Sequence, residues 1–416
     1  MSPFALIFIS ILLLTTVGMR LLKTNLISPL FIVFLSWSCI FSGLFFGDLG
    51  MYEVSDRLLF LYSLWLLFLA IGCLFGKLIH IVPYKSTFSY DINLFELLYQ
   101  ISVVITPFII YKILNVLLSG GNVFLALRMA NLGVEEDLVG IGALKYFNPI
   151  VFVLFLAELY RIKPNESKKK LYVLLFINIL FIVASMAKVG VFFLIVPTVI
   201  VVFFKKKIKF KKIFLIVVSL FFLLVLVHFS RGNGGNVSNF SDAISDMMKI
   251  YLFAGVPAMD QILEEGVYSG LWGEHVFSSF YKLLNVFGGN FLFGTGKVFV
   301  GSNGYALVPF PTNVFTVLYV FYVDFGVIGV MFFAFLTGLF ATFIYRLAKF
   351  GSVWAIILYS HIATSLALQF FSDFIFSMLS QTLQLIFWTY ILYHFHLKYR
   401  FIICKKSRLS KLFYAK

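Results

Sequence analysis

Apolar runs recur along nearly the whole chain, each about 17–25 residues long, the length that crosses a bilayer as a helix. A spanning backbone has no water to satisfy its N–H and C=O groups, so each run must bond within itself as a helix. Eleven runs are read, at 3–19, 26–46, 58–82, 94–118, 141–160, 171–186, 189–204, 213–229, 325–345, 352–371 and 374–394. With 61% apolar and 12% charged residues, the composition excludes a soluble globular domain. The expected class is all-α: a polytopic membrane protein with about eleven transmembrane helices. The first run has no basic residue before it and no small-residue cleavage site after it, so it reads as a retained span and not a signal peptide. Cys39 and Cys73 fall in apolar runs and Cys404 in a basic tail, which offers neither a disulfide framework nor a thiolate metal site.

The net charge of +15 is not spread evenly. Alternating the segments between spans puts 24 of the 33 basic residues on one side, and 14 of the 18 acidic residues on the other. By the positive-inside rule the basic side is cytoplasmic, the C-terminus lies inside and the N-terminus outside. The basic excess is then a collar facing anionic lipid, and nucleic acid is not expected as a partner. The chain divides into an N-terminal bundle of about eight spans (1–229), a large external loop (230–324), and three spans with a basic tail (325–416). A structureless loop of that length is improbable. Helical periodicity predicts a helix over 240–253, with Ser238 or Ser241 as cap, and a second over 258–265. Residues 266–304, rich in glycine and aromatics, read as packed loop. The shorter loop 119–140 reads as an interfacial helix carrying Arg128.

The most informative stretch is 310–329, FPTNVFTVLYVFYVDFGVIG. Pro309 and Pro311 force an extended or turning entry. Polar Thr312, Asn313, Thr316 and Asp324 interrupt an aromatic run, which passes at Gly326 into a clean span. A carboxylate in hydrocarbon would cost about 2.5–3.5 kcal/mol on insertion scales, so Asp324 belongs at the membrane surface. The plain alternative is an interfacial girdle of Tyr and Phe with one solvated Asp. Basic residues on the external side are few. Arg231 opens the long loop before Gly-Asn-Gly-Gly, a setting that suits an anion. Lys188 lies at the same depth in a short turn, and Arg128 on a neighbouring loop. Each also reads as a snorkelling anchor. With Asn313, Asp324 and the aromatics they suggest a site for an anionic headgroup bearing sugars. No metal cluster is evident. His228 and His361 read as satisfied core residues, and GTGKVFVG at 294–301 lacks the spacing of a phosphate loop. Glu264 and Glu265, adjacent on a helix, are expected to point apart.

The stretches Thr312-Asn313-Val314-Phe315-Thr316 and Tyr322-Val323-Asp324-Phe325-Gly326-Val327-Ile328-Gly329, with Tyr251 to Asp260 in the long loop, resemble the bacterial oligosaccharide repeat-unit polymerases, the O-antigen polymerase family. The span count and the single large loop add to the resemblance. The wider superfamily commonly has an Arg in the mid-chain external turn, an Arg opening the long loop, and a His-Asn pair before the next span. Here those positions hold Lys188, Arg231 and Thr312-Asn313, so the first and third depart from the pattern. The resemblance implies a GT-C-like glycosyltransferase of the bacterial inner membrane that needs no cofactor or metal. Its donor would be a glycan on undecaprenyl diphosphate, its acceptor a lipid-linked repeat unit, and a chain-length regulator protein a possible partner. Arg231 and Lys188 would then meet the diphosphate, with Arg128 as a third cation. Thr312 and Asn313 would orient substrate, Asp324 would be a base or the partner of an Arg, and Tyr319 and Tyr322 would contact sugars. An O-antigen ligase, or a polysaccharide flippase, is the alternative.

Overall fold

The computed structural model describes residues 2–47, 49–80, 90–118, 127, 141–163, 165–185, 188–205, 240–301 and 304–395. It is an all-α membrane architecture. Among the described residues six helices are long and apolar enough to cross a membrane: α1 (Pro3–Leu21), α2 (Pro29–Phe46), α3 (Asp56–Leu78), α4 (Ile92–Leu118), a 3-10 turn Gly142–Phe147 continuing into α5 (Asn148–Arg161), and the 32-residue α11 (Leu318–Lys349). Helices α6 (Lys169–Ser185), α7 (Lys188–Lys205), α12 (Val353–Ala367) and α13 (Leu379–His394) are shorter. The run at 213–229 lies outside the described residues. The helix starts follow local chemistry. Ser2 caps α1 by accepting from Ala5 N at 3.1 Å, with Pro3 as the first helical residue, and Ser55 caps α3 by accepting from Leu58 N at 3.2 Å.

Two apolar cores form. One gathers α1, α2, α3 and α11 with the segments of the long loop; the other gathers α4, α5, α6, α7, α12 and α13. The tightest pairing is α3 with α11. A Cβ at Gly72 would sit 2.0 Å from the Phe335 carbonyl oxygen, and one at Gly338 would sit 2.1 Å from that of Leu69. Only glycine lets the two backbones meet there. In lipid such small-residue contact replaces the hydrophobic drive that water supplies elsewhere. At one end of this pair Arg346 Nη1 donates to the carbonyls of Gly76, Lys77 and Ile79 at 2.8, 2.7 and 2.6 Å, capping the C-terminus of α3. The other end, the loop end, carries the long-loop segments.

The loop segments are more ordered than their composition predicts. Helix α8 (Phe240–Met248) passes into a π turn at Lys249–Phe253. Helix α9 (Gly255–Glu265) starts three residues earlier than expected, taking Pro257 into its first turn, where a missing N–H costs nothing. The stretch 266–304 is not merely packed loop: α10 (Ser278–Val286) lies within it, exposing Leu283, Leu284 and Val286. Strands β1 (Ala306–Leu307) and β2 (Pro311–Thr312) then pair antiparallel, so the Pro309–Pro311 entry is a hairpin turn. Helix α11 begins at Leu318, seven residues before the expected span. It is broken at Gly326, whose φ of 64° and ψ of −153° are open essentially to glycine alone. Asp324 therefore sits on a short helical segment ahead of the break.

Candidate functional site

The loop end is built on a buried polar knot. Gln369 Oε1, in the connection from α12 to α13, accepts from the indoles of Trp37 at 3.2 Å and Trp65 at 3.1 Å. Its carbonyl accepts from Val317 N at 2.8 Å. Tyr62 donates to Thr316 Oγ1 at 2.9 Å. On this base sits α9. Asp260 accepts from Ser55 N at 2.6 Å and from the Ser55 hydroxyl, tying α9 to the start of α3. Gly255 faces Phe370 O, Thr316 and Val314 so closely that a Cβ would lie 3.0 Å from that carbonyl oxygen and 3.3 Å from each of the two side chains. The two stretches 251–260 and 312–316, far apart in sequence, are thus packed on one another.

Above this base Asp324 organises a loop. Its side chain is fully buried, at 0% exposure, and it accepts from four donors: Ser269 Oγ at 2.6 Å, His275 Nδ1 at 2.8 Å, and the backbone N–H groups of His275 and Val276, each at 2.9 Å. Asp324 thus closes the turn 269–276 with its own acceptor capacity filled. Among the described residues the nitrogen side chain that meets Asp324 is His275 and not an arginine. Glu274 steadies the same turn by accepting from Gly294 N at 2.6 Å and Leu271 N at 3.3 Å. The His275 ring meets Tyr319 edge-on at 5.4 Å, and the neighbouring Trp272 is largely exposed. One turn along α11 from Tyr319, the hydroxyl of Tyr322 accepts from Arg57 Nη2 at 3.3 Å. An exposed guanidinium, two tyrosines, an imidazole and an open indole thus share one surface. Such a surface suits an anion with sugars attached: the guanidinium can fork onto phosphate and the rings can stack on sugar faces.

The remaining expected residues are placed unevenly. Thr312 is buried in β2, where its hydroxyl accepts from Val314 N at 3.2 Å, while Asn313 beside it is exposed. Lys188 is the first residue of α7. That helix end lies by the α12–α13 connection, because Phe193 meets Phe374 edge-on at 5.2 Å. Arg128 and Arg231 lie outside the described residues, as do Ser238 and His228. His361 is buried as expected, and among the described residues its Nε2 has no hydrogen-bond partner. Glu264 and Glu265 line an open cavity of about 290 Å³ with Gln261, Phe299, Tyr305 and Leu307. Lys297, from the glycine-rich 294–301 run, donates to the Glu265 carbonyl and closes the end of α9.

Sequence reasoning missed Arg57 and His275. Arg57 stood in an acidic loop, and nothing but its sign distinguished it. His275 stood alone among scattered histidines, its partner 49 residues away. The chain matches no family model, no curated protein and no solved structure.

Proposed function

We propose that this chain is an O-antigen or polysaccharide repeat-unit polymerase. It is an eleven-span, GT-C-like glycosyltransferase of the bacterial inner membrane, with a cytoplasmic C-terminus. It moves a growing glycan from undecaprenyl diphosphate to a lipid-linked repeat unit at the outer face. An acceptor hydroxyl attacks the anomeric carbon of the donor, and the lipid diphosphate leaves with the bonding electrons. That leaving group needs fixed cations at the membrane surface and no metal or nucleotide. Arg231 and Lys188 take this role, with Arg128 as a weaker third and Arg57 as an addition from its place beside Tyr322. Asn313 orients substrate, Tyr319, Tyr322 and Trp272 contact sugars, and a chain-length regulator is the expected protein partner. The observation that carries the reading is the packing of stretch 251–260 against 312–316 beside the Asp324 turn. These are the stretches that resemble the polymerases.

The test is mass spectrometry of lipid-linked and surface glycans in a deletion strain. Single repeat units on the surface or on lipid mean polymerase. Complete loss of surface glycan means flippase or ligase and overturns the reading. Arg231 is the residue to change next. A guanidinium binds diphosphate bidentately, whereas an ammonium is a point charge. Removing one preorganised charge-stabilising group typically costs about 10²–10³ in rate. Arg231→Ala nearly abolishes the surface-glycan ladder at matched protein level, and Arg231→Lys restores little of it. A normal ladder in Arg231→Ala would remove Arg231 from the diphosphate site.

A further inference from the structure

The attacking hydroxyl must lose a proton, and Asp324 is poorly placed to take it. It is fully buried and four donors already occupy its oxygens. The same contacts settle the chemistry of the ring beside it. A carboxylate only accepts hydrogen bonds, so His275 Nδ1 carries the proton and, in the neutral ring, the lone pair lies on Nε2. Among the described residues Nε2 has no hydrogen-bond partner, and the side chain is 33% exposed. A basic nitrogen, fixed in tautomer and direction by a buried carboxylate and open on its other side, has the form of a general base. We propose that His275 is the general base of the transfer and that Asp324 is its positioning residue. This rests on the polymerase reading above.

The step balances without any further reactant. The acceptor oxygen forms its bond to the anomeric carbon of the donor as its proton passes to His275 Nε2. The bond from that carbon to the diphosphate oxygen breaks, and the electron pair leaves on the diphosphate. The imidazolium that forms keeps its Nδ1–H on Asp324 at 2.8 Å, so the new positive charge appears beside a fixed negative one. The proton then leaves to water from the exposed side of the ring. The other carboxylates nearby lack this arrangement. Glu274 is spent on Gly294 N and Leu271 N, and Glu265 on Val300 N, while Glu264 is exposed with no group to aim it.

A purely structural clasp is the competing role, and one substitution separates the two. In His275→Asn the amide N–H stands where Nδ1 stood, keeping the bond to Asp324 and removing Nε2. Purified protein is given repeat units on undecaprenyl diphosphate extracted from the deletion strain. The expected result for His275→Asn is a kcat lower by about 10²–10⁴, the usual contribution of a general base, with KM nearly unchanged. His275→Gly, assayed at equal membrane level, is expected to regain activity with added imidazole. Wild-type kcat in His275→Asn would overturn the proposal while leaving the polymerase reading intact. So would a His275→Gly protein that is present and inactive but indifferent to imidazole. A wild-type protein that makes no polymer from these units would overturn both.

Discussion

Two buried carboxylates at the loop end, Asp324 and Asp373, are satisfied in opposite ways. The donors of Asp373 are all close by in sequence: the N–H groups of Ile375, Phe376 and Ser377 at 3.2, 2.8 and 2.6 Å. It caps the turn into α13 and would do so in any chain that made this turn. The donors of Asp324 come from 48 to 55 residues earlier and include two side chains. They form only if the long loop docks. Local satisfaction builds an element, whereas long-range satisfaction fixes how elements meet. A group of the second kind beside exposed Trp272 and Arg57 belongs to a working surface. The buried knot of Gln369, Trp37 and Trp65 below it keeps that surface on rigid helices.

If this contrast is right, the largest loss comes from Asp324→Asn. The amide keeps the shape but brings an NH₂ among four donors, so at least one buried donor is left without an acceptor. Leaving a buried donor without an acceptor costs about 1–3 kcal/mol. The surface-glycan ladder is expected to disappear, and limited proteolysis to cut within 269–276. A normal ladder with an uncut loop would put Asp324 in the same class as Asp373.

The sequence made the helices legible wherever apolar length alone decides, as in α1 to α4. It misjudged the start of α11, because Tyr319, Tyr322 and Asp324 gave the first two turns the look of an interfacial loop. It missed α10, whose helical period is framed by Gly-rich neighbours. Of the site, the stretch holding Asp324 stood out because a carboxylate in an aromatic run is costly. His275 did not, since its role arises only from a contact across 49 residues. The cavity beside Glu264 and Glu265 was hidden for a related reason, since Tyr305 and Leu307, which line it with them, stand about forty residues later in the chain.

A smaller effect sharpens the contrast from the backbone. Gly326 stands two residues after Asp324, at dihedrals that cost other residues about 1–3 kcal/mol. A Cβ there meets nothing within 4 Å, so Gly326→Ala tests the backbone angle alone. The expected result is normal insertion with a shortened, fainter ladder, because the segment bearing Asp324 swings relative to the span. A wild-type ladder would mean that packing on α3, and not the break itself, holds the Asp324 segment.

The smallest effect on glycan is expected at Asp373, where the change should appear in stability instead. Burial pushes its carboxyl up from the ordinary 3.8 to about 6, against the pull of its backbone hydrogen bonds. The folded protein therefore holds this proton more tightly than the unfolded chain does. Between about pH 4 and 6 the native state binds more protons, so stability falls as pH rises through that window and the cost is complete above it. A shift of this size corresponds to a few kcal/mol, since each pH unit is worth about 1.4 kcal/mol. Asp373→Asn imitates the neutral acid, with one acceptor oxygen and no charge. Its melting temperature in detergent is expected to match wild type near pH 4, to stay level as the wild-type value declines, and to exceed it at pH 7. The ladder should remain complete, because the donors of Asp373 are the backbone N–H groups of its own turn. A lost ladder at normal protein level would show that local satisfaction is no guide to function here. A melting curve with the wild-type slope would mean that Asp373 is not the group that titrates.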